Sequence, residues 1–86
     1  MKIRELDFFL KRKGVDKNAY SLQGGLPSEK LCLGNVNDKW EVYYSEHGEK
    51  SDLELFDSEE VACERFVKRL SKMLKIQIVN IQDNIK

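Results

Sequence analysis

Residues 39–46 read KWEVYYSE and are followed by a glycine-containing turn, HGEKS, and by DLELF at residues 52–56. In the first run Trp40, Val42 and Tyr44 alternate with more polar residues, which is the period of a β-strand with one buried face. In the second run, leucines alternate with acidic residues in the same way. The stretch therefore predicts an antiparallel hairpin whose Trp40/Val42/Tyr44 face is covered by other parts of the chain.

Two weaker strands precede this hairpin. Residues 19–22 alternate around Tyr20 and end before a Gly-Gly pair, and residues 30–34 place Leu31 and Leu33 on one face. Turn-forming glycine, proline and asparagine residues separate the runs. Consecutive strands joined by short turns usually pair with each other. The four runs thus predict a four-stranded antiparallel meander.

Amphipathic helices flank the strands. Residues 2–13 carry apolar side chains at helical spacing and end at Gly14, a typical position just past a helix C-terminus. Asp57 with Glu60 three positions later resembles a capping box and predicts the start of a second helix. An apolar stripe at helical spacing then extends to Leu74.

The chain has 86 residues, which is enough for one domain. We expect residues 1–75 to form a single α+β domain in the order helix, four-stranded antiparallel meander, helix, with both helices on one sheet face. Residues 76–86 form a C-terminal extension. The helical spacing of Ile78, Ile81 and Ile85 favours a continued helix, although the β-branched residues there also suit an extended tail.

The sequence offers little of the chemistry of an enzyme site. His47 is interpreted as an exposed residue of the hairpin loop. Cys32 and Cys63 have no metal-ligand spacing and are interpreted as buried thiols of the core. The pair Gly24-Gly25 is not followed by the lysine of a phosphate-binding loop. We therefore expect no catalytic residue, no cofactor and no metal, and the chain is predicted not to be an enzyme.

The charge is unevenly distributed although it sums to zero. Residues 1–37 carry a net +3, residues 38–60 a net −7, and residues 61–86 a net +4. A neutral total gives no electrostatic footprint for nucleic acid, whereas a concentrated acidic segment can steer a basic partner.

The N-terminal residues mix charges with the first apolar side chains, and every apolar run is short. Neither a secretion signal nor a membrane-spanning segment is therefore predicted. We expect a cytoplasmic protein without membrane contact.

If the helices cover one face of the sheet, the other face stays open. Strand alternation assigns acidic and aromatic side chains to that face, and the hairpin end adds two further acids. Aromatic residues surrounded by charge are typical of an interaction patch, although an ordinary solvated sheet face is the alternative. The predicted partner-binding residues are Glu41, Tyr43, Glu46, Glu49, Asp52, Glu54 and Phe56.

A family resemblance adds to this interpretation. The run WEVYYSEHGEKS at residues 40–51, followed by LELFDSEEVAC at 53–63 and preceded by YSLQGGLP at 20–27, resembles small immunity proteins of bacterial polymorphic-toxin and contact-dependent-inhibition systems. The resemblance covers roughly residues 18–70. It implies a protein that stays in the producing cell and blocks a cognate toxin domain, frequently a nuclease, by stoichiometric occlusion.

Two other hypotheses stay open. A small regulatory or nucleic-acid-binding accessory protein could act through the basic helix residues Arg65, Lys68, Arg69 and Lys72, although no aromatic residues are interleaved with them. A homodimer joined through the C-terminal isoleucines is compatible with either function.

Overall fold

A computed structural model describes residues 1–75 of the chain. The predicted C-terminal extension, with the isoleucines of the hypothetical homodimer, lies outside the described residues. None of the described helices is long and apolar enough to cross a lipid bilayer. The elements in chain order are α1 (Ile3–Arg12), a 3-10 turn (Lys17–Ala19), β1 (Tyr20–Ser21), β2 (Lys30–Val36), β3 (Lys39–Glu46), β4 (Glu49–Phe56) and α2 (Glu59–Leu74).

The α+β class is confirmed, with one correction to the sheet. The strands lie in the order β1-β2-β3-β4, and β2 pairs antiparallel with β3, as β3 does with β4. The first pair is parallel instead: Tyr20 is opposite Leu31 and Ser21 is opposite Cys32. The predicted purely antiparallel meander is therefore wrong at β1. Residues 22–29 return across one face of the sheet, where Tyr43 and Ser45 bond to their carbonyls, so β2 enters the sheet in the same direction as β1.

Both helices contribute to one hydrophobic core. Sheet residues Leu31, Leu33 and Val42 are at most 2% exposed, and they cluster with side chains from both helices. Tyr20 meets the Phe66 ring edge to face, with the ring centroids 6.2 Å apart. The helical residues of the core are Leu6, Leu10, Ala62, Cys63, Phe66, Val67 and Leu70.

The helix ends follow local capping rules. Gly14 has a φ of +73°, and the amide of Val15 returns to the carbonyl of Leu10 at 3.1 Å, which ends α1 as the sequence predicts. At α2 the N-cap is Ser58 and not the predicted Asp57, because the Ser58 hydroxyl accepts the Val61 amide at 3.2 Å.

A bulge interrupts the pairing of β3 with β4. Tyr44 is opposite Ser51 and Val42 is opposite Glu54, so the single residue Tyr43 faces both Asp52 and Leu53. Asp52 has a φ of +52°. One extra residue in a strand shifts every later side chain to the opposite face of the sheet. The bulge therefore reverses the sidedness of the second half of β4 relative to simple alternation.

The connection between β1 and β2, residues 22–29, covers the sheet face that the helices leave free; we call it the strap. The Tyr43 hydroxyl donates to the carbonyl of Gly25 and the Ser45 hydroxyl to that of Pro27, each at 2.6 Å. Gly34 permits this crossing: a Cβ built on it would lie 3.0 Å from the Cα of Gly24. The strap is therefore held by polar contacts to backbone carbonyls, together with a close approach of two glycines.

Candidate binding surface

Two of the seven predicted partner-binding residues lie beneath the strap. Glu41 is 4% exposed and Tyr43 is 1% exposed. Lys50 crosses above them, with its Nζ 2.9 Å from Glu41 Oε1 and 4.7 Å from the centroid of the Tyr43 ring. The prediction that this sheet face is open is therefore wrong. Alternation along the strands could not predict this cover, because the strap binds the sheet through its backbone carbonyls, which do not depend on its side chains.

Burial affects the chemistry of the covered residues. The pKa of Tyr43 rises to about 12, first because burial disfavours the phenolate and then because Cys32 and Glu41 lie nearby. Within residues 1–75 every buried side-chain nitrogen and oxygen has a hydrogen-bond partner. The covered groups thus form a satisfied polar layer of the fold.

Two further predicted residues lie on the helix side of the sheet. Glu54 is opposite Val42 and Phe56 is opposite Trp40, and directly opposed residues of antiparallel strands share a face. Phe56 packs against the core. The bulge at Asp52 accounts for the error, since without it Leu53 and Leu55 would take this side. The seven predicted residues do not share one surface.

Glu54 instead faces two arginines of α2. Its Oε1 lies 3.3 Å from Arg69 Nη1 and 3.8 Å from Arg65 Nε. Arg69 Nη1 also donates to the carbonyls of Val42 at 3.1 Å and Asp52 at 2.8 Å, one on each strand of the bulge. A bulge leaves backbone groups without ladder partners, and the guanidinium supplies donors to two of them.

These contacts bear on the nucleic-acid hypothesis. Of the four basic residues on α2, Arg65 and Arg69 already face the Glu54 carboxylate, so part of their charge is neutralised within the fold. Lys68 and Lys72 are exposed. Two exposed lysines one turn apart are typical of the wet side of an amphipathic helix.

The remaining predicted residues gather at the end of the β3–β4 hairpin. Glu46 and Glu49 are direct cross-strand partners, and Asp52 is exposed three residues further on. Glu29, which the sequence analysis did not select, joins them: its charge and that of Glu46 raise the pKa of Tyr44, after burial as the main cause. Its position just before β2, next to the Lys30–Ser45 pair, could have indicated this. We call Glu29, Glu46, Glu49 and Asp52 the acidic end.

The negative charge of the acidic end is not paired with positive charge among the described residues. No lysine or arginine in residues 1–75 lies within ion-pair distance of these four carboxylates, whereas Glu41, Glu54, Asp57 and Glu59 each have a basic partner. Like charges placed directly opposite on neighbouring strands destabilise a sheet. The Glu46–Glu49 pair therefore costs stability in the isolated protein.

An exposed apolar strip adjoins the acidic end along β4. Leu53 is 45% exposed and Leu55 is 59% exposed. Among the described strands, β4 lies at the edge of the sheet and pairs only with β3. The backbone groups on its outer side are therefore available to a partner. We call β4 from Asp52 to Leu55 the β4 edge.

No arrangement for metal or thiol chemistry appears in the described part of the chain. No group of three His, Cys, Asp or Glu side chains in residues 1–75 could hold a metal ion. His47 is exposed in the hairpin turn with a φ of +53°. Cys32 and Cys63 are free and fully buried, and burial is the main cause that raises the pKa of each thiol, to about 11 for Cys63. A thiol with a raised pKa is a poor nucleophile.

Comparison with known proteins identifies no related protein. Searches of protein-family models, of curated proteins and of solved structures find no match to this chain.

Proposed function

We propose that this chain is an immunity-type binding protein that acts in the cytoplasm and neutralises a basic toxin domain by stoichiometric occlusion. It has no enzymatic role in this proposal. The sequence resemblance over residues 18–70 suggests the class. The single observation that carries the proposal is the acidic end, where Glu46 and Glu49 oppose each other across two strands and no described cation balances them.

The partner chemistry follows from this charge. An arrangement that destabilises the free protein becomes favourable when lysine or arginine side chains of a partner lie between the carboxylates. Toxin domains that cleave nucleic acid carry basic clefts for phosphates, and a row of carboxylates can occupy such a cleft. Charge of this kind also accelerates association at low ionic strength.

The β4 edge supplies the second part of the proposed interface. Leu53 and Leu55 offer apolar area next to the acidic end, and the outer backbone groups of β4 can pair with an extended segment of the partner. The acidic residues of β4 favour a basic partner. If a second copy of β4 paired with this strand, Asp52 and Glu54 would lie near the same carboxylates of the other copy and repel them. The proposed partner is thus a basic protein domain and not a second copy.

The test uses a matched pair of charge reversals, Glu49→Lys and Glu64→Lys. Both residues are exposed acids without a described ion-pair partner, and Glu64 lies on α2, outside the proposed interface. The tagged full chain first captures its partner from the producing cells, and the purified partner is then tested against both variants. We expect Glu49→Lys to lower the association rate constant at low salt by roughly tenfold, and Glu64→Lys to leave it nearly unchanged.

A second readout separates binding from folding. Glu49→Lys also removes the repulsion with Glu46, so the free energy of unfolding should not fall while the binding weakens. Expression of the captured domain should arrest bacterial growth, and co-expression of the wild-type chain should restore it. Equal association rates for the two variants would contradict the proposed surface. Steeply salt-dependent binding of the free chain to a labelled DNA or RNA duplex would favour the nucleic-acid hypothesis.

A further inference from the structure

An open groove of about 670 Å³ lies between the second half of α2 and the β3–β4 hairpin. Its apolar lining comes from the sheet residues Leu31, Tyr44 and Leu53 and from Met73 in the last turn of α2. Leu31 is almost fully buried, whereas Leu53 and Met73 are 45% and 37% exposed. The groove thus continues the hydrophobic core outward, beyond the part of the sheet that α2 covers.

The chain leaves α2 at this groove. Lys75 adopts a left-handed conformation with φ 57° and ψ 40°, and its amide donates to the carbonyls of Lys72 and Ser71. This geometry ends a helix, and helices that end in this way commonly have an apolar contact between a residue just past the end and the last helical turn. The next residue is Ile76, three positions after Met73.

The sequence beyond Lys75 suits the apolar part of this groove. Residues 76–81 read IQIVNI, with four β-branched apolar side chains in six positions. Keeping such side chains in water is unfavourable, at about 25 cal/mol for each Å² of apolar surface that could be buried. Residues 76–86 reach up to about 36 Å in extended form. Length therefore does not prevent this segment from returning along the groove from the end of α2.

We propose that residues 76–86 of this chain occupy the groove, with isoleucine side chains packed against Leu31, Tyr44 and Met73. Charge is compatible with this occupant. The α2 side of the groove carries Arg65, Arg69 and Lys72, and the sheet side carries Asp52 and Glu54. The segment itself has one acidic and one basic residue, Asp83 and Lys86, so it introduces no net charge into this mixed lining. The contact completes the core from within the chain. The groove adjoins the proposed interface with a toxin, because Leu53 and Asp52 line the groove and also belong to the β4 edge.

The chain contains two methionines, which makes Met73 a selective probe. Methyl-labelled methionine in the full chain gives two NMR signals, one from Met73 in the groove and one from Met1, which packs against the core elsewhere. We expect contacts between the Met73 methyl and isoleucine methyls. In Ile78→Asp the Met73 signal should move towards that of an exposed methionine, and its relaxation by a soluble paramagnetic reagent should increase several-fold.

Gln77→Asp is the matched control, because it introduces the same charge one residue away at a polar position. It should leave the Met73 signal in place, and the Met1 signal should stay constant in both variants. A Met73 signal unaffected by Ile78→Asp would overturn the proposal. A change that depends on protein concentration, with a dimeric mass in sedimentation, would also overturn it, because the segment would then pack against a second copy.

Discussion

The two hairpins of the sheet share strand β3 but differ in regularity. The β2–β3 pairing continues without interruption from Lys30↔Ser45 to Val36↔Lys39. The β3–β4 pairing is broken at Asp52, and the side chains that follow change sides. In the regular hairpin, alternation along the sequence correctly assigns each side chain to a face. In the bulged hairpin the same alternation assigns Glu54, Leu55 and Phe56 to the wrong faces. A single extra residue therefore decides whether a strand can be interpreted from its pattern.

The largest expected effect concerns Arg69, whose guanidinium joins both strands of the bulge. Arg69→Met keeps much of the aliphatic length but removes the donors to Val42 and Asp52, so the bulge carbonyls lose a charged partner. We expect the free energy of unfolding to fall by about 2 kcal/mol. Chemical denaturation measures it.

Lys68→Met is the control for this change, because Lys68 is exposed on the same helix. Its effect should be within about 0.5 kcal/mol, as for most surface substitutions. Equal losses in the two variants would mean that Arg69 contributes through the helix itself and not through the bulge.

A smaller effect is expected on the strap side of β3. Tyr43→Phe removes the donor to the Gly25 carbonyl and should lower the free energy of unfolding by about 1 kcal/mol. Tyr44→Phe, on the neighbouring residue, should cost less, because the described hydrogen bonds include none from the Tyr44 hydroxyl. Denaturation of both variants under identical conditions makes the comparison.

The pH dependence sharpens the same prediction. The pKa of Tyr43 is raised from its ordinary value of 10.0 to about 12, so the fold retains the proton that the unfolded chain releases. The contribution of Tyr43 to stability is therefore complete below pH 10 and is lost as the pH rises to about 12. The wild-type stability should fall more steeply than that of Tyr43→Phe across this interval. Parallel curves would contradict the burial of this hydroxyl under the strap.

The smallest expected effect is a gain. Asp52 has a left-handed backbone conformation, which glycine adopts with less strain. Asp52→Gly should raise the free energy of unfolding by up to about 0.5 kcal/mol, whereas Ser51→Gly, at a regular position of the same strand, should lower it by about 0.5–1 kcal/mol. Losses of similar size in both variants would show that the bulge imposes no strain at Asp52.

The parts of the fold that depend on apolar periodicity were predictable. The stripe of α2 and the covered face of β3 follow from side-chain spacing within one element, and the C-terminus of α1 follows from the glycine just past it. The parallel pairing of β1, the strap and the bulge depend on backbone groups that meet from different segments. Side-chain spacing within one element does not indicate such contacts. The sequence gives one indirect indication, the glycines at positions 24 and 34, which permit the close approach of the strap to β2.

The candidate site shows the same division. The acids at the hairpin turn were correctly predicted to be accessible, because turn residues at the end of a strand pair rarely find room in a core. Glu41 and Tyr43 were predicted to be accessible and are buried, because the strap that covers them belongs to another part of the chain. Glu29 was missed for the converse reason, since only the β2–β3 register brings it beside Glu46.

The sheet separates the two thiols of the protein, and this separation has a practical consequence. Cys32 lies beneath the strap beside Tyr43, and Cys63 lies on the face of α2 that packs into the core. An alkylating reagent can reach Cys32 only when the strap lifts, and Cys63 only when the helix layer opens. Mass spectrometry of the two cysteine peptides gives a separate alkylation rate for each thiol. These rates therefore measure how often each face of the sheet opens in the wild-type chain. Each side of the sheet thus contains one native cysteine that can serve as a probe of local unfolding.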